Sequence, residues 1–194
     1  MNRASKPGAT DQTEALLDAT RTIFVQEGLD GLSVRRVAEQ AGCTTMLVYS
    51  RFGGNEGLVG AMFDDGFAAL AKAQQAVPES LAPRERVVAL CKAYLGVAHA
   101  YPHHYALMLG TQSGAFKPSD TSHAKAMQTL ECLVEAVSAT LPARARRSAK
   151  AAAAAHRILA YCHGWLMLEQ IGALNARSTE ASFLHGLEAL LDQP

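Results

Sequence analysis

The chain has no excess of either charge: eighteen lysines and arginines face eighteen aspartates and glutamates over 194 residues. No overall attraction to nucleic acid, an acidic membrane or an acidic ligand follows, so any such function rests on a local patch. Charged residues are also scarce, at 19% of the sequence against roughly 25% in an ordinary globular protein. With 49% apolar residues the chain can bury a core, which excludes disorder, and its sparse polar coat favours a homo-oligomer. The four cysteines, Cys43, Cys91, Cys132 and Cys162, form no CxxC pair, which removes zinc knuckles and dithiol redox motifs. No apolar run approaches the roughly 18 residues of a membrane span, and residues 1–13 lack the apolar core of a leader peptide. The expected setting is the cytoplasm, with reduced thiols and no membrane partner.

Strand signals are equally sparse, because Val and Ile recur at helical spacing without period-two alternation. The fold class is therefore all-α. Asp11 with Glu14 resembles a capping box, and Leu16, Ala19, Ile23 and Phe24 then mark one helical face until Gly28 stops it. Ser33 is the expected N-cap of a short second helix carrying Val34, Val37, Ala38 and Ala41, and Thr44 caps a third that runs through Phe52. Gly53-Gly54 breaks that helix, and a fourth starts near Asn55. Beyond Pro83 the spacing predicts longer helices over 84–100, 102–112, 121–141, 143–174 and 179–191, a helical bundle. The alanine-rich stretch 149–155 reflects helix propensity.

Residues 33–52 read helix, glycine turn, helix, the sequence shape of a helix-turn-helix and also of many plain helical hairpins. The second helix separates the two. Val48 and Phe52 point inward, while Met46 and Ser50 lie opposite, flanked by Leu47 and Tyr49. At the N-terminal end of a recognition helix, apolar side chains can meet thymine methyls, and the hydroxyls of Thr44 and Thr45 can bond bases or phosphates. Tyr49 can donate to a phosphate.

Leu17-Asp18-Ala19, Phe24, Gly28, Ser33-Val34, Val37-Ala38, Ala41-Gly42, Val48-Tyr49, Phe52 and Glu56-Gly57-Leu58 together resemble the N-terminal DNA-binding domain of the tetracycline-repressor (TetR) family, without a gap over residues 11–63. The resemblance implies a three-helix DNA-binding domain with a helix-turn-helix, joined to a C-terminal helical bundle that binds ligand and dimerises. It implies a homodimer on near-palindromic double-stranded operator DNA, and a repressor, not an enzyme, released by a small molecule. The corresponding division is a tail over 1–10, a DNA-binding domain over 11–57 and a ligand and dimer domain over 58–194. Ser33, Arg35, Thr44, Thr45, Met46, Leu47, Tyr49, Ser50, Arg51 and Asn55 are the implied DNA contacts. Asn55 stands where the family usually has a lysine, and Arg51 where an aromatic or histidine is common. Tyr101-Pro102 and His163-Gly164 resemble the subgroup with a Trp-His-Gly-type C-terminal domain, Cys162 replacing its tryptophan. The local charge is thin: over residues 31–54, Arg35, Arg36 and Arg51 face Glu39.

Tyr105, Met108, His163 and Trp165 are the candidate effector contacts, since adaptable methionine and amphipathic aromatics suit a neutral, mostly hydrophobic compound. Ala160, Gly164, Leu168 and Gly172 form one ridge, and Leu184, Leu187 and Leu191 a second stripe. The resemblance makes these a four-helix dimer interface, and the alternative is that both stripes face their own bundle. His156, Cys162 and His163 of the long helix lack the four-residue spacing that best converges on a metal, and His99, His103 and His104 around Pro102 read as ordinary packing and capping, so no metal or cofactor is expected. No nucleophile elbow occurs either. The rival to the regulator is a helical ligand-binding or scaffold protein with a degenerate DNA-binding segment.

Overall fold

The computed structural model describes residues 9–109, 116–143, 149–174 and 180–192. These form α1 (Ala9–Gly31), α2 (Val34–Gln40), α3 (Thr45–Phe52), α4 (Asn55–Gln75), α5 (Pro83–Ala100), α6 (Pro102–Met108), α7 (Asp120–Thr140), α8 (Ala149–Gln170) and α9 (Glu180–Asp192). No strand occurs among the described residues, as the missing period-two pattern predicts. Nor is any described helix long and apolar enough to cross a membrane.

The chain divides into two compact units, Met1–Gly66 with Tyr101–His123, and Phe67–Ala100 with Ala124–Pro194. This differs from a contiguous break after residue 57. The first unit takes in the start of α4 and all of α6 because both pack on α1: Phe24 meets the His104 ring edge to face at 4.8 Å, and Arg21 donates to Asp65 at 2.8 Å. Leu16, Phe24, Val37, Val48, Leu58 and Met62 are essentially solvent-free there, which puts one apolar stripe from each of α1 to α4 into a shared core.

Glycines set two corners of this unit. Gly28 leaves helical geometry at φ 65° inside α1, and a side chain there would run into the His103 ring. At Gly57 a Cβ would lie 1.6 Å from the Phe52 carbonyl oxygen, so only glycine lets the first turn of α4 sit on the end of α3. The expected cap at Asp11 is displaced, since α1 already begins at Ala9.

The second unit is built around Val87 and Leu90 of α5, Leu133 and Val137 of α7, Ile158 of α8, and Phe183 and Leu187 of α9. The alanine stretch does more than favour a helix. Ala151, Ala154 and Ala155 are buried, and their small side chains let neighbouring helices approach α8 closely. Cys91 and Cys162 are buried free thiols; contact with the Cys162 thiol, reinforced by burial, pushes the Cys91 thiol far up, leaving it unreactive. α8 stops at Gln170 instead of reaching residue 174. Gly172 turns left-handed at φ 69°, its N–H bonds Glu169 O at 2.9 Å and that of Ala173 bonds Leu168 O at 2.9 Å, a glycine helix stop. The start expected at Ala143 precedes residues 144–148, which lie outside the described residues, as does the expected extension of α6 past residue 109.

Candidate nucleic-acid interface

The two caps expected from the sequence both form. Ser33 Oγ accepts from Arg36 N at 3.3 Å and Thr44 Oγ1 accepts from Leu47 N at 3.4 Å, each satisfying a donor that the helix start leaves open. Because the Thr44 hydroxyl accepts, its own hydrogen stays available to an outside acceptor. The turn between the helices is held by Gly42 at φ 64° and by Cys43 N donating to Ala38 O at 2.9 Å. Gly53 at φ 72° ends α3.

Within α3, Val48 is fully buried while Met46 is 79% and Tyr49 58% exposed. Thr44, Thr45, Ser50 and Arg51 are exposed as well, Leu47 is half-buried, and Asn55 is exposed at the start of α4. The structure therefore brings Thr45, Met46, Tyr49 and Ser50 to one open face, anchored from behind by Val48. Ser33 is half-buried and occupied by its cap.

The cations are distributed less freely than the sequence implies. Arg35 donates to Glu39 at 2.9 Å. Arg36 grips the Glu27 carboxylate through both terminal nitrogens and also donates to Gly31 O at 2.9 Å. That hydrogen bonding holds the Glu27 pKa below the ordinary carboxylate range. Arg36 is thereby a tie between α1 and α2, which no spacing rule could reveal, since Glu27 and Arg36 belong to different helices. Among the described residues Arg51 alone of the three arginines has no carboxylate beside it.

A second set of residues, without a signature in the sequence, supports α1 from below. Arg21 bonds both Asp65 and Asp18 at 2.8 Å, and His104, 3% exposed, places Nε2 3.3 Å from Asp65 Oδ2. Burial pushes the Asp65 pKa up, but His104 and Arg21 together more than offset this and leave it lowered.

The effector and dimer assignments fare differently. Tyr105 is buried and Met108 half-buried in the first unit, Met108 packing over Gly66. His163 and Trp165 belong to the second, where Trp165 Nε1 donates to Glu169 at 2.9 Å and its ring meets Phe183. A cleft of about 560 Å³ between α5 and α9, lined by Leu81, Arg84, Val88, Lys92, Glu188 and Leu191 among others, includes none of the four. In the dimer set, Leu187 and Leu191 must be corrected: they are buried in the core of their own unit, and Leu184 packs partly against it. Gly172 is likewise the stop after α8 and not part of its ridge. Ala160 and Leu168 stay exposed and the Gly164 position opens to free space, while Ile171, absent from the expected ridge, is 76% exposed beside them. No group of three or more candidate metal ligands occurs among the described residues.

Comparison with known proteins agrees with this architecture. The family profile "Bacterial regulatory proteins, tetR family" matches residues 16–62, and "Tetracyclin repressor-like, C-terminal domain" matches residues 87–190, more than half of the chain. No curated protein matches in sequence. Among solved structures, a protein of unknown function from Rhodococcus sp. RHA1 superposes with a TM-score of 0.78 at 22% identity, covering 98% of each chain. A tetR-family transcriptional regulator from Streptomyces coelicolor gives 0.73 at 18% identity, over 95% of this chain and 82% of the other. BioQ, solved with its double-stranded DNA operator, gives 0.65 at 21% identity, over 96% and 97%. At these identities the likeness establishes the shared fold. The family assignment rests on the two profiles, and the chain belongs to the tetracycline-repressor family of bacterial regulatory proteins, DNA-binding transcription factors and not enzymes.

Proposed function

We propose that the protein is a homodimeric cytoplasmic repressor that places one α3 per subunit in successive major grooves of a near-palindromic operator and is released by a small, mostly hydrophobic effector. The observation that carries the DNA reading is the division of α3: Val48 fixes it from inside while Met46 and Tyr49 stand exposed at a capped helix start. Met46 and Tyr49 stand one helical turn apart on one face, and such a paired apolar exposure marks an interaction surface where a lone exposed residue does not. BioQ, similar in fold, was solved with its double-stranded DNA operator, which supports operator binding here.

His163-Gly164, with Cys162 in place of the tryptophan, supports membership of the Trp-His-Gly-type subgroup for the C-terminal domain. Ala160, Gly164 and Leu168, with Ile171, supply the surface on which a second subunit docks. Tyr105 and Met108 of the first unit and, separately, His163 and Trp165 of the second are the proposed effector contacts, and release requires that the effector bind the DNA-incompetent arrangement more tightly than the competent one. Fluorescence anisotropy of the purified protein on duplexes from its own upstream intergenic region, at two salt concentrations with scrambled competitor, tests the DNA reading. Saturable binding that resists competitor is expected. Failure there and in selection from random duplexes would overturn it.

A further inference from the structure

We infer that Met46 is the specificity-determining residue of α3 and that it reads the C5-methyl group of a thymine in each operator half-site. This rests on the proposed entry of α3 into the major groove. Major-groove sequence is read by a small set of pairings: arginine or lysine on guanine, asparagine or glutamine on adenine, carboxylates on cytosine, and apolar groups on the thymine methyl. Over its first six residues α3 offers Thr45, Met46, Leu47, Val48, Tyr49 and Ser50, so the first three pairings have no donor or acceptor of the required type. Hydroxyls bond to more than one base and discriminate poorly. Val48 is buried and Leu47 half-buried.

Thr45 adds a methyl and Tyr49 a ring to the same face, but Met46 presents the largest fully apolar exposed side chain there, and its position fits the role. It lies in the first helical turn, where a recognition helix meets base edges, and at 79% it is the most exposed large apolar side chain among the described residues. The only apolar group on a major-groove base edge is the thymine methyl. An unbranched thioether with three rotatable bonds can settle on that methyl without displacing the helix.

The test uses the full-length protein and a duplex enriched from random sequence. Each thymine of the bound site is replaced in turn by deoxyuridine, which removes the methyl and leaves every hydrogen-bonding atom. At one position per half-site the change is expected to weaken binding about fourfold, the factor for one buried methyl-sized group, and at both half-sites together roughly fifteenfold if the effects add. In Met46→Ala, whose site of change is on the surface, the same replacement should have no effect. Wild-type affinity that is indifferent to deoxyuridine at every position overturns the inference while leaving DNA binding intact, as does an undiminished deoxyuridine penalty in Met46→Ala. If no duplex is enriched at all, the DNA reading itself falls, and the inference with it.

Discussion

The ring of Tyr49 lies over the backbone of Gly54: a Cβ built on Gly54 would stand 3.2 Å from Tyr49 Cε1. Gly54 also holds φ 122°, a conformation that L side chains rarely adopt. Gly54→Ala is therefore expected to destabilise the fold by about 1–3 kcal/mol and to shift the Tyr49 ring on the open face of α3. Urea unfolding reads the first effect and operator titration the second. The paired change Gly54→Ala with Tyr49→Ala should recover part of the stability, because the ring that must give way is gone.

Asp65 gives the first unit a dependence on acid. Its folded pKa lies below the ordinary carboxylate value because His104 and Arg21 outweigh burial. A depressed carboxylate contributes its full stability above the unfolded pKa of about 3.9 and loses it as pH falls through the folded value. Asp65→Asn should thus cost about 2 kcal/mol at neutral pH, the range for hydrogen bonds to a charged group. The gap between variant and parent should narrow only below about pH 4, which unfolding curves across the acid range would show.

Salt dependence follows from the arginines. With Arg36 tied to Glu27 and Arg35 leaning on Glu39, Arg51 is the cation of α3 best placed to meet a phosphate. Arg51→Ala is expected to weaken binding to all duplexes alike and to reduce the slope of log K against log salt by about one for each phosphate that is no longer neutralised. An unchanged slope would remove Arg51 from the interface.

Two leucines of the C-terminal unit should separate folding from assembly. Leu187 is solvent-free and Leu168 is 43% exposed. Leu187→Ala should lower stability by about 2–5 kcal/mol, as for any leucine cut from a packed core. Leu168→Arg should leave the circular dichroism spectrum intact and shift the protein towards monomer in sedimentation. Reversed outcomes would reassign the two faces.

What the sequence made legible was local. Ser33 and Thr44 announce their caps, Gly53-Gly54 the break after α3, and Val48 against Met46 the two faces of α3, because each depends on residues within one or two turns. The Arg36–Glu27 tie and the Asp65 cluster could not be read, since their partners come from separate helices and pairing between helices has no periodic signature. Leu187 and Leu191 were ambiguous for a related reason: a leucine stripe shows that one side of α9 is covered, but not by which helix. Gly172 misled because a glycine at ridge spacing and a glycine that ends a helix look alike until the φ angle is known.

The internal pairing of Arg35 and Arg36 also bears on how the protein spends its time in the cell. Weakly cationic binding surfaces hold random DNA briefly, because few counterions are released when the two meet. Such a protein slides for shorter stretches along the chromosome than a strongly basic regulator does. A larger share of its molecules is then free of DNA at any moment, and operator occupancy follows copy number more directly than it does for a strongly basic regulator.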